Sequence, residues 1–160
     1  GVKREDRFRD CALTAKGMHD CLEKAESICS KVFEDNGDGA VLLILSPMLR
    51  TILTGALVFS PLVARGHTIH VVVEPAVREV IRAPYYTLEN VGRDTVVACN
   101  EAREILTDDD APHAALVLLD LACTAAVSVD PCWYITPTSA SALEARIPAA
   151  LAGDAAVLCN

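Results

Sequence analysis

No two of the seven cysteines stand as a Cys-x-x-Cys pair, so the close, regular spacing of zinc sites and disulfide frameworks is missing. Cys11, Cys21, Cys29, Cys99, Cys123, Cys132 and Cys159 read instead as free, mostly buried thiols of a reducing compartment. No glycine-rich loop of the GxGxxG or Walker type is present, which removes motif support for a bound nucleotide. Positive charge is scarce: the formal net charge is −8 and the pI about 4.9, with one small basic cluster over 3–9. Non-specific affinity for nucleic acid needs a basic face, so no direct nucleic-acid binding is expected. A long apolar run is also lacking. The longest stretch, Ile52 to Ala64, contains Thr54, Gly55, Ser60 and Pro61 and is bounded by Arg50 and Arg65. It falls short of the roughly 20 residues of a spanning helix, and no secretory apolar core follows the charged residues 1–10. The expected setting is cytoplasmic, with no membrane partner.

What the chain does have is apolar content: 52% of its 160 residues are hydrophobic and the mean hydropathy is +0.32. This length suits a single domain with one core. Charges crowd the first 38 residues and nearly vanish from the strand-like runs, the pattern of a parallel sheet covered on both faces. Over 5–35, Leu13, Met18, Leu22, Ala25, Ile28, Cys29 and Val32 recur at spacings of three and four, which predicts a helix. The run Asn36-Gly37-Asp38-Gly39 stops it. The expected division is an N-terminal helical segment over 1–38 and a Rossmann-like α/β domain over 39–160.

Within that domain, strand-like and helix-like segments alternate. Strands are expected at 40–45 (AVLLIL), 68–73 (TIHVVV), 94–98 (DTVVA), 114–119 (AALVLL) and 155–159 (AAVLC), with a short one at 133–135. Helices are expected from Ser46 to about Arg65, over 76–90, from Asn100, and from Thr138 or Ser139 to about Leu151. Ser46 would cap the first of these with Pro47 at its first position, and Gly66 would end it. Alternation of this kind implies βαβ crossovers and a parallel sheet. The last expected strand has no helix after it to cover it, which points to a fragment or to cover supplied by a partner.

Open parallel sheets bind ligands outside the carboxyl ends of their strands, which singles out Ser46, Arg50, Thr51, Glu74, Asn100, Asp120 and Thr138 as candidate ligand-binding residues. Ser46, Arg50 and Thr51 lie at a helix start, where free N–H groups and the dipole favour a phosphate; an ordinary helix cap is the plain alternative. Cys99, near a helix start, is a candidate thiolate nucleophile or a small buried residue. Asp120 suits a general acid or base or a loop cap. His67 and His70, three apart, point to opposite faces of a strand and cannot share a metal. His19 and His113 lack carboxylate or cysteine spacing that suggests ligation. No metal and no cofactor is expected.

Four segments carry a resemblance: CLEKAESICSKVFEDNGDGAVLLILSPMLRTIL, HTIHVVVEPAVRE, DTVVACNEAREIL and YITPTSASALEARIPAALAGDAAVLCN. In this order they resemble the family of the alpha, beta and delta regulatory subunits of eukaryotic translation initiation factor 2B. That family also holds methylthioribose-1-phosphate and ribose-1,5-bisphosphate isomerases. The resemblance spans about 18–160 and implies a Rossmann-like fold. Where the isomerases carry a catalytic cysteine after the first strand, this chain has Ser46-Pro47-Met48. Where they carry an Asn-Gly-Asp segment, it has Ser128-Val129-Asp130-Pro131, with the aspartate one place off, and their Gly-Thr pair corresponds to Pro137-Thr138.

The resemblance therefore implies a non-catalytic regulatory subunit, or its C-terminal domain, in a guanine-nucleotide exchange complex. Its implied partners are the other subunits and initiation factor 2, in an oligomer. The alternatives are a sugar-phosphate isomerase using Asp120 or Asp130, or a module that senses a sugar phosphate or nucleotide without reacting it.

Overall fold

The computed structural model describes residues 10–36, 39–77 and 94–129. Its elements are α1 (Ala15–Asn36), β1 (Val41–Leu45), α2 (Leu49–Val58), α3 (Ser60–Ala64), β2 (Ile69–Val73), α4 (Thr95–Asp108) and α5 (His113–Ala126), with a single 3-10 turn at Pro75–Val77. Among the described residues this is a mixed α/β arrangement: two parallel strands with helices packed on them. No helix among them is long and apolar enough to cross a membrane.

β1 and β2 form where short apolar or β-branched runs end in turn signals. They pair in parallel from Val41 opposite Ile69 to Leu45 opposite Val73, and Glu74 extends the ladder by donating its N–H to the Leu45 carbonyl at 2.8 Å. Parallel neighbours need a crossover, which α2 and α3 supply. α2 is the hub of the core. Leu49, Ile52, Leu53, Ala56 and Leu57, at helical spacing, are all buried, and α2 packs against α1, α4, α5 and β1.

The single helix expected from Ser46 to Arg65 is broken at Phe59, and the reason is Pro61. A proline inside a helix has no N–H to give to the carbonyl four residues back, here Leu57. The Ser60 hydroxyl donates to that carbonyl instead, at 2.9 Å, and the Cys29 thiol of α1 donates to the adjacent Val58 carbonyl at 3.3 Å. α3 then starts with Pro61 in its first turn. Gly66 follows with φ +79, the left-handed position that suits glycine after a helix. Ser60 is buried, so Ser60→Ala strands the Leu57 carbonyl and should cost about 1–3 kcal/mol. A lowered urea midpoint with an unchanged slope would report it; an unchanged midpoint would mean water replaces the hydroxyl.

Two expected strands are helices. Residues 94–98 begin α4: the Asp94 carboxylate accepts from the N–H groups of Val96 and Val97 at 2.9 and 3.1 Å, a cap that turns a β-branched run into a first helical turn. The buried set Thr95, Ala98, Cys99, Ala102 and Leu106 follows helical spacing. Residues 114–119 lie inside α5, whose buried positions Ala115, Leu118, Leu119, Ala122, Ala125 and Ala126 also follow helical spacing. The acidic turn joins these two helices, with Asp110 at φ +51. The expected helix over 76–90 falls outside the described residues beyond the 3-10 turn. So do the expected strands at 133–135 and 155–159 and the helix from Thr138.

Candidate functional site

The carboxyl ends of β1 and β2 lie side by side because Leu45 pairs with Val73. Ser46 and Glu74, the residues that follow each strand, are both buried. Arg50 and Thr51, half-buried, follow on the first turn of α2. These four of the seven expected site residues are thus brought to one end of the sheet. Thr138 lies outside the described residues.

Asn100 and Asp120 are placed elsewhere, because the segments expected to be strands are helices. Asn100 is exposed on α4 and Asp120 is exposed on α5, neither at a strand end. Asp120 is ion-paired with Arg103 across the two helices. That pair holds Arg103 above its ordinary range, the hydrogen bond to Asp120 being the main cause.

Ser46 does not cap α2. The helix begins at Leu49, after an extended Met48 (φ −76, ψ 138) with no side-chain cap of its own. The cap comes from Asp10, whose Oδ1 accepts the Leu49 N–H at 2.9 Å. Asp10 is fully buried and sits at φ +48, a conformation that Asp tolerates better than most residues. A carboxylate therefore already meets the positive end of the α2 dipole. Ser46 Oγ and Thr95 Oγ1 are buried without a hydrogen-bond partner among the described residues. Two acidic residues, Asp10 and Glu74, and the Ser46 hydroxyl are all buried in this part of the fold.

A cavity of about 190 Å³ lies away from the strand ends. It opens between the start of α1 and the turn joining α4 to α5, against Met18, His19, Leu57, Leu106, Asp109 and Asp110. His19 also has carboxylates within reach, contrary to the expectation from spacing alone. One ligand atom each from His19, Asp20 and Glu23 falls within 4.8 Å of the others, since positions four apart on a helix are neighbours. Asp20 accepts from Lys16 at 2.6 Å and is held below its ordinary range chiefly by that bond.

Sequence reasoning missed a second cluster, between α4 and α5. Cys99 is buried and Cys123 half-buried, and the titration of each thiol is set chiefly by the other. The Cys99 thiol is pushed far up, first by its interaction with Cys123 and then by burial. Cys123 is held below the ordinary thiol range, first by its interaction with Cys99 and further by the charge of the Arg103 guanidinium. No pattern could have exposed the pair, because neither cysteine has a near neighbour of its kind.

Compared with known proteins, the chain matches no family model, no curated protein and no solved structure.

Proposed function

We propose that the chain is a non-catalytic regulatory subunit, or the C-terminal domain of one, in a cytoplasmic guanine-nucleotide exchange complex of the initiation factor 2B type. In this reading β1 and β2 are two strands of a larger, Rossmann-like parallel sheet. The other subunits and initiation factor 2 are its partners. The reading rests first on the order of the four segments described above, and one structural observation supports it. Val96 and Val97 on the first turn of α4 are 54% and 50% exposed, and Val127, just after α5, is 76% exposed. The Arg103–Asp120 ion pair and the four-residue turn between the helices fold α4 and α5 back on each other, so these three valines share one end of the hairpin. Three bare valines at one end suit burial against another subunit better than contact with water.

Val97→Asp tests this without threatening the fold. Position 97 is half-exposed, and a carboxylate in a first helical turn is favourable to the helix dipole. The wild-type chain should assemble in light scattering and capture exchange-factor subunits from cytosol. The variant should bind at least tenfold more weakly, since a buried valine contributes about 1.5–3 kcal/mol. A wild-type chain that stays monomeric at every concentration and captures none of these subunits would remove the proposal.

The isomerase alternative would place chemistry on Asp120 or Asp130. Asp120 is engaged by Arg103 on an exposed helix face, and Asp130 lies outside the described residues. No observation favours that reading over the first.

A further inference from the structure

The cavity beside α1 is apolar inside and acidic at its mouth. Met18, Leu57 and Leu106 are buried at its walls, and Leu22, also lining it, is 38% exposed. At about 190 Å³ it is close in size to an apolar cavity of roughly 150 Å³ that takes one benzene ring. Asp109 and Asp110 stand at the mouth, on the turn that ends α4, and both are exposed. On the α1 side, Asp20 and Glu23 each bring a carboxylate oxygen within 4.8 Å of a His19 ring nitrogen, and Lys16 engages Asp20. The position of Asp110 is an expensive one. The Ala111 N–H donates to the Leu106 carbonyl at 3.0 Å and the Asp110 N–H to the Thr107 carbonyl at 3.3 Å, a Schellman ending of α4. Asp110, at φ +51, holds the place that glycine usually takes in that ending. Its carboxylate also lies beside the negative end of the α4 dipole, and no basic residue occupies the last turn to offset it. A cation at the mouth meets the dipole and both carboxylates at once.

We propose that this cavity binds a small organic ammonium ion carrying one apolar group about the size of a single ring. The apolar group lies against Met18, Leu57 and Leu106, and the ammonium stays at the mouth beside Asp109 and Asp110. Ionised carboxylates only accept hydrogen bonds, and an ammonium only donates them. A phosphate or carboxylate ligand would meet like charge and the unfavourable end of a helix. A bare metal ion on His19, Asp20 and Glu23 is the competing occupant, but it would leave the apolar walls uncovered. The cavity lies at the turn end of the α4–α5 hairpin, opposite the exposed valines, so the proposal stands independently of assembly with other subunits.

Methionine supplies a local probe. The chain has two, Met18 at the cavity and Met48 at the start of α2. Labelled with methyl-13C methionine, the full chain gives two methyl signals, assigned by Met18→Leu. Titration with 2-phenylethylammonium, with EDTA present to remove metal ions, should move the Met18 signal through the ring current and leave Met48 in place. Half-saturation is expected at about 1 mM for so small a ligand. 2-Phenylethanol, with the same ring and no charge, should need about threefold to tenfold more, since exposed carboxylates each add little, and phenylacetate should bind more weakly still. Asp110→Gly should weaken the ammonium about twofold to fivefold and leave the alcohol unchanged. Glycine suits φ +51, so that loss cannot be put down to lost folding, and circular dichroism checks it. Asp109→Asn combined with Asp110→Gly should bring the ammonium down to the level of the alcohol. A Met18 signal unmoved at about 20 mM ligand, or one that moves only in step with Met48, would overturn the proposal. So would equal affinity for ammonium and alcohol, undiminished ammonium binding by Asp110→Gly, or binding that appears only when EDTA is left out.

Discussion

Leu53→Ala should destabilise the fold by about 3–4 kcal/mol, a loss in the range of leucine truncations in a close-packed core. Leu53 is fully buried on the one helix that touches α1, α4, α5 and β1 together. Truncation removes the transfer free energy of the lost carbons and leaves a void bounded by several elements. Those elements cannot all move inward at once, so the cavity should stay largely open. Against a typical total of about 5–15 kcal/mol, such a loss moves a large share of molecules toward the unfolded state. Thr54→Ala, one position on, is the control. Thr54 is half-buried and its hydroxyl donates only to the Arg50 carbonyl of its own helix, at 2.8 Å, so its loss should cost less than about 1 kcal/mol. Urea unfolding of both variants decides the matter. Equal, small shifts would mean that α2 is not the hub of the core.

The parts of this fold readable from the sequence are those set by local chemistry. β1 and β2 lie in runs ended by Ser46-Pro47 and Glu74-Pro75, and Gly66 adopts the positive φ expected after a helix. The failures at 94–98 and 114–119 share one cause. An apolar run of five or six residues fits a buried strand and a buried stretch of helix equally well, and tertiary packing decides between them. A local signal did exist at 94: aspartate before a run that continues at helical spacing through Ala98, Ala102 and Leu106 is a helix start. The valines that follow it outweighed that signal. For α5, the helical spacing continues through Ala122 to Ala126, well past the length of an ordinary strand.

The strand-end residues were readable only where the strands were. Ser46 and Glu74 come together because β1 and β2 pair in register, whereas Asn100 and Asp120 depended on two strands that are helices. The thiol pair was out of reach for a different reason. Cys99 and Cys123 shift each other's titration through the packing of α4 on α5, and nothing in the spacing of either residue encodes the partner. Arg103 and Asp120, one turn away from each, are likewise paired by that packing. With the helix pair in hand, laying the two helices antiparallel brings Arg103 to Asp120.

Asp10→Ala should cost about 2–4 kcal/mol, a large effect for a residue outside every helix and strand. Its Oδ1 is the acceptor for the buried Leu49 N–H, from 39 positions earlier in the chain. Met48, the residue in the capping position, has no oxygen to offer, so removing the carboxylate leaves that N–H unsatisfied and the α2 dipole unmet. Alanine also suffers at φ +48, which costs roughly 1 kcal/mol more than for aspartate or glycine. The desolvation of a buried carboxylate works against these losses, which keeps the expected figure below their sum. Asp10→Gly separates the contributions. It keeps the backbone at ease but supplies no acceptor, so it should recover about 1 kcal/mol of the alanine loss and no more. Asp10→Asn retains an acceptor oxygen and tolerates the left-handed backbone, and should fall between wild type and glycine. Chemical denaturation of the three variants orders them. If alanine and glycine were both within about 0.5 kcal/mol of wild type, a range typical of neutral surface changes, Asp10 would not be what anchors the start of α2.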